Sequence, residues 1–300
     1  LRGKTPHFAL YGRKEIASQA DSKTALVLSS GGLFGAYQVG AWQYLAETSL
    51  QPDIVVGASV GALNGWAIAA NADPAALAEQ WLHERTSRIL TMRQKPGILA
   101  GYFEAKPLRD FAEEVFAQYR PVLDFGLVIV ELPFLRSRLI RRHAVTADHL
   151  TATASIPVAM PTVLIGGKMF TDGGLLEDVP LWAALEMGAT KIVAIDAMHY
   201  EAPWWYRMGV SPMKMLAPRK PLGKKAQTLV IRPRTPLGPY NEAISWNRAK
   251  IKEWLERGYE DAERAVASCP FFGAELAAGF GRCMERDALE IATRVRGKAP

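Results

Sequence analysis

The chain has 300 residues, enough for one large domain with a substantial core. Hydrophobic residues make up 49% and charged residues 22%, which excludes a disordered or fibrous chain. The formal net charge of +6 is spread over scattered basic residues, so no nucleic-acid partner is expected, and no apolar run reaches the ~20 residues that a membrane helix needs.

Residues 1–23 read as a polar N-terminal arm, and no signal-peptide pattern opens it. Residues 25–29 form a short apolar run ending in Ser30-Gly31-Gly32, the pattern of a buried strand and a turn. Apolar positions return at helical spacing over 35–45. Asp53-Ile54-Val55-Val56 predicts a second buried strand, which runs through Gly57-Ala58-Ser59-Val60-Gly61 into a small, apolar helix over 62–70. Two strand–turn–helix units in succession predict a parallel sheet covered by helices. Asp73-Pro74 predicts a helix start, with the aspartate as N-cap and the proline at the first position. Further helices are expected over 107–119, 148–155, 180–187 and 244–267, and strands over 126–132, 138–145, 191–196 and 227–231. Gly166-Gly167 between two short apolar runs predicts a hairpin. Residues 198–225 hold four prolines, Trp204-Trp205-Tyr206 and several lysines; they read as a lid or binding loop suited to peripheral membrane contact through Trp204 and Trp205. The expected domain covers 24–300. Cys269 and Cys283 have neither Cys-x-x-Cys nor metal-ligand spacing, and read as free thiols of a cytoplasmic or peripherally membrane-associated protein.

Three motifs carry chemistry. A serine hydroxyl attacks a carbonyl only when a base takes its proton and its own backbone stands clear. A tight strand-to-helix elbow meets the second need if its flanking residues are small, and Gly57 and Gly61 flank Ser59 at two residues either side. The loop Ser30-Gly31-Gly32-Leu33-Phe34-Gly35 lets backbone N–H groups face a site, as an oxyanion hole requires. A dinucleotide loop needs glycine where Ser30 stands. Asp172-Gly173-Gly174 places a carboxylate at a strand end, where it serves as base or orients a histidine. The histidine that follows Asp172 is His199, three residues beyond Asp196. A direct Ser59–Asp172 dyad is therefore favoured, with Asp196–His199 as the competing arrangement.

These blocks, in this order, resemble a bacterial patatin-like phospholipase. Ala154-Ser155-Ile156-Pro157, Val179-Pro180 and Gly188-Ala189 through Asp196 add to the likeness, which covers about residues 24–197. The resemblance implies a three-layer α/β/α sandwich with a mainly parallel central sheet. It also implies hydrolysis of lipid acyl esters by Ser59 and Asp172, an oxyanion hole at Gly31, Gly32 and Leu33, and neither metal nor organic cofactor. Ser30 and Phe34 depart from the family pattern, which has glycine at the first position and a cation at the second. The same pair also suits an acyltransferase or a thioesterase, and the Trp204-Trp205 loop suits a weakly active membrane-binding protein.

Overall fold

A computed structural model describes residues 22–48, 50–97, 101–198, 212–218, 220 and 226–269. Most of the expected N-terminal arm, His199, Trp204, Trp205 and Cys283 lie outside the described residues.

The main sheet runs in the order β10-β9-β1-β2-β5-β8-β7, with β6 on the other edge of β5. Its strands are β1 (Thr24–Leu28), β2 (Ile54–Ala58), β5 (Asp124–Leu132), β6 (Arg136–Arg141), β7 (Val163–Ile165), β8 (Lys168–Asp172), β9 (Lys191–Ile195) and β10 (Gln227–Ile231). The first five along the path are parallel, and β6, β7 and β8 are antiparallel to their neighbours. The parallel strands are buried on both faces, which is why they read as unbroken apolar runs. Leu26, Leu28, Val55 and Ile195 face one core with α1 (Gly35–Glu47), α2 (Val60–Ala69), α3 (Pro74–Leu82), α4 (Ala105–Gln118), α5 (Ala147–Thr153) and α7 (Arg248–Ala267). Ala25, Val27, Ile54 and Val56 face the other core, against α6 (Leu181–Glu186). The result is the expected three-layer α/β/α arrangement.

Local signals explain most element ends. The Asp73 carboxylate accepts from the Ala76 N–H and caps α3, with Pro74 in its first turn. The structure corrects two expected boundaries. Residues 240–244 form a separate 3₁₀ turn, and α7 begins at Arg248 because the Asn247 side chain accepts from the Ala249 and Lys250 N–H groups. β6 stops at Arg141, and residues 142–144 turn as 3₁₀ while Arg142 Nη1 donates to the carbonyls of Pro121 and Val122. A two-stranded sheet of β3 (Met92–Gly97) and β4 (Gly101–Phe103) went unpredicted.

The central feature is β5. Its one edge pairs with β6 over Gly126–Glu131. Along the other edge lie two strands end to end: β2 pairs up to Ala58↔Val128, and β8, running the opposite way, begins its pairing at Asp172↔Ile129. The residue after Ala58 and the last residue of β8 are thereby brought together on consecutive registers of a third strand. The approach is close enough that a Cβ on Gly173 would lie 2.2 Å from the Val128 carbonyl oxygen.

Candidate active site

Ser59 caps α2 with φ 55° and ψ −132°, a conformation that costs a non-glycine residue of order 1–3 kcal/mol and needs surrounding structure to hold it. The glycine spacing has a steric cause. A Cβ on Gly57 would lie 2.2 Å from the Gly61 carbonyl oxygen, and one on Gly61 would lie 2.4 Å from that of Ser29. The elbow is also pinned: the Ser59 N–H donates to Thr153 Oγ1 at 3.0 Å, and that hydroxyl donates to the Val128 carbonyl at 2.7 Å.

Ser59 Oγ donates to Asp172 Oδ2 at 2.7 Å. Asp172 Oδ1 accepts from the Gly174 N–H, also at 2.7 Å. Both side chains are buried. Burial pushes the Asp172 carboxyl up to about 7, against the opposing pull of the Ser59 and Gly174 hydrogen bonds, and nearby Asp178 adds to the rise. The Ser155 carbonyl accepts from the Asp172 N–H and the Thr171 hydroxyl, fixing the strand end. His83 and His149 are engaged elsewhere: His83 accepts from the Arg85 N–H, and His149 closes a capping box with Thr146. Asp196 Oδ1 accepts from the Met198 N–H.

The glycine loop follows β1. Gly32 has φ 55°, and a Cβ there would lie 2.4 Å from the Ala243 carbonyl oxygen, so both backbone and space require glycine. Gly31 has room for a Cβ, which would meet Met198 at an ordinary 3.4 Å, but its φ of 158° with ψ 3° is a backbone conformation that side chains rarely adopt. The loop enters a 3₁₀ turn over Gly32–Phe34 and then α1, so its N–H groups are the unpaired first donors of a helical run. Among the described residues, those of Gly31, Gly32 and Leu33 have no protein acceptor. Gly35 sits against the elbow, where a Cβ would lie 2.4 Å from a Val60 methyl. Phe34 turns away into the core, its ring edge-on to Trp254 at 4.9 Å. Ser30 donates its N–H to the Asp178 carbonyl and its hydroxyl to the Asp178 carboxylate.

A buried polar chain joins loop and elbow. Trp81 Nε1 donates to Asn64 Oδ1, Asn64 Nδ2 to the Gly35 carbonyl and Gln38 Oε1, and Gln38 Nε2 to the Ser29 carbonyl. The Ser29 hydroxyl accepts in turn from the Ala197 N–H. Sequence reasoning missed these residues and Thr153. A signal existed for one of them: Asn64 is the lone amide in an otherwise small or apolar helical run.

Ser59 lines a cavity of about 90 Å³. Its walls are largely apolar. Gly32 and Leu33 share the Ser59 end, Leu63 and Ala67 continue it along α2, and Leu108, Phe111 and Val115 face them from α4. The apolar lining suits an apolar ligand group.

Residues 26–185, which include Ser59 and Asp172, match the patatin-like phospholipase family. The chain belongs to that family. Patatin-like phospholipase domain-containing protein 7 of Rattus norvegicus is 28% identical over 180 residues, 57% of this chain and 13% of that protein. An uncharacterized NTE family protein of Mycobacterium tuberculosis (strain H37Rv) is 26% identical over 193 residues, 62% of this chain and 52% of that protein. The chain thus spans a small part of the first relative and about half of the second. Among solved structures, VipD from Legionella pneumophila aligns with a TM-score of 0.44 at 12% identity, over 83% of this chain and 67% of VipD. The type III effector ExoU aligns with a TM-score of 0.40 at 10% identity, over 83% of this chain and 53% of ExoU.

Proposed function

We propose that the protein hydrolyses carboxylic esters of lipids with Ser59 as nucleophile and Asp172 as its base. The observation that carries this reading is the 2.7 Å hydrogen bond from Ser59 Oγ to a buried carboxylate, at one end of an apolar cavity. An ordinary carboxylate takes a hydroxyl proton poorly; one raised to about 7 is matched to the task near neutral pH.

Ser59 Oγ gives its proton to Asp172 and bonds to the ester carbonyl carbon, while the carbonyl electron pair moves onto oxygen. The N–H groups of Gly31, Gly32 and Leu33 hold that oxyanion, and the acyl chain lies in the cavity. Collapse breaks the bond to the alcohol oxygen, which takes the proton from Asp172. Water then gives a proton to Asp172 and attacks the acyl-enzyme. The second collapse frees the fatty acid, and the proton returns to Ser59 Oγ. The substrate partner is a lipid or phospholipid.

Labelling with an alkyl fluorophosphonate tests the reading. Stoichiometric modification of Ser59, lost in Ser59→Ala and slowed in Asp172→Asn, is the expected result. Intact protein that labels nowhere, and cleaves no short-chain ester, would instead indicate a binding protein with an inactive site.

A further inference from the structure

The cavity beside Ser59 is walled by α2, α3 and α4. It follows α2 from Ser59 to Ala67, eight residues at about 1.5 Å of rise each, or about 12 Å. The helix α4 keeps step: Leu108 packs with Ala154 and Met160 near the Ser59 end, and the segment after α4 reaches the C-terminus of α2, where the Val122 N–H donates to the Ala69 carbonyl. Tyr119, at the end of α4, therefore stands remote from Ser59. There Gln80 reaches across from α3, and its Nε2 donates to Tyr119 Oη at 2.7 Å. Gln118 Nε2 donates to the same oxygen at 3.2 Å.

Both Gln80 and Tyr119 line the cavity, yet Gln80 is exposed and Tyr119 half-buried. The bridge is thus a polar closure between an apolar channel and water. The Gln80 carbonyl also accepts from the Thr86 hydroxyl, which ties the segment after α3 to the same closure. A methyl terminus arriving here meets two hydrogen-bonded polar groups, and passing them breaks a bond while exposing hydrocarbon to solvent.

We infer that the Gln80–Tyr119 bridge sets the upper length of the acyl group, so that the enzyme prefers medium chains. An extended chain built of bonds of about 1.5 Å advances about 1.25 Å per carbon, so a 12 Å channel takes about ten carbons. This inference rests on the reading of Ser59 as nucleophile.

Two measurements keep it separable from that reading. In the first, kcat/KM is determined for p-nitrophenyl esters of four to sixteen carbons. The wild-type optimum is expected at about eight to ten carbons, with a fall of about tenfold or more by sixteen. Gln80→Ala and Tyr119→Ala are expected to raise the ratio of the sixteen-carbon to the eight-carbon rate about tenfold. Tyr119→Phe, which keeps the ring and loses the acceptor, is expected to raise it less. In the second, calorimetry follows binding of octanoate, decanoate, myristate and palmitate to the same folded proteins, a readout that needs no turnover. A wild-type cut-off near ten carbons that moves in the variants supports the bridge even if no ester is cleaved, in which case the Ser59 reading fails alone. Ser59-dependent hydrolysis with the same length profile in wild type, Gln80→Ala and Tyr119→Ala overturns the bridge and leaves Ser59 standing.

Discussion

The two glycine-rich turns that follow β1 and β2 are built alike and expose opposite things. Their strands are parallel neighbours in register, Leu28 beside Gly57, and each turn opens a helix. After β2 the positive φ falls on Ser59, the flanking glycines take the close contacts, and a side chain faces the cavity. After β1 the positive φ falls on the two glycines Gly31 and Gly32, the nearby side chain of Phe34 enters the core, and backbone N–H groups are left over. Which residue occupies the strained position decides whether a turn between strand and helix offers a nucleophile or a set of donors.

The contrast is broken most severely at the acid–base pair. Asp172→Asn keeps the shape of the site but removes the proposed base, and kcat for a short-chain ester should fall by about 10³-fold or more. The same variant should be more stable than wild type in alkaline buffer. The folded Asp172 titrates near 7 and the unfolded one near the ordinary carboxylate value, so the burial cost is absent at low pH and complete above about 7. A gain on the order of 4 kcal/mol is expected in urea unfolding at pH 8, vanishing below about pH 4.

A weaker perturbation separates the two glycines of the donor loop. Gly32→Ala meets both a forbidden φ and the Ala243 carbonyl, and should cost about 10²-fold in kcat. Gly31→Ala finds ordinary contacts but a backbone conformation that side chains rarely adopt, and should cost about tenfold, measured in the same assay. Equal losses would mean that backbone strain, rather than the clash with the Ala243 carbonyl, sets the cost.

The link between the turns is tested by Gln38→Leu. It strands the buried Ser29 carbonyl and one N–H of the Asn64 amide, and should lower stability by about 2 kcal/mol by chemical denaturation. The mildest effect is that of pH. The rate should halve as pH falls to about 7 and drop about tenfold per unit below it, as the Asp172 carboxylate takes up a proton.

Much of this was legible in sequence because it is local. The parallel strands announced themselves as apolar runs, the elbow as Gly57-x-Ser59-x-Gly61, and the β7–β8 hairpin as Gly166-Gly167. The pairing of Ser59 with Asp172 could be suspected from motif order, but its cause, the shared edge of β5, is a register and has no local sign. The role of Thr153 depends on where α5 lands against that edge. The β3–β4 sheet was missed because Arg93, Gln94, Lys95 and Pro96 show no alternation of apolar and polar residues. The cavity was missed because its lining comes from three helices and several connecting segments that lie far apart in the chain.

The end-to-end meeting of β2 and β8 has a consequence for how this chain tolerates change. A residue inserted between Val128 and Ile129 would slide the two halves of the site apart by about 3.3 Å, more than the length of the bond that joins them. Insertions in the connections on either side of β5, such as those after α3 or between β6 and β7, leave that spacing untouched however long they grow. The spacing of the proposed pair is written in a strand that carries neither Ser59 nor Asp172, and the connections that flank it can change length around that one step.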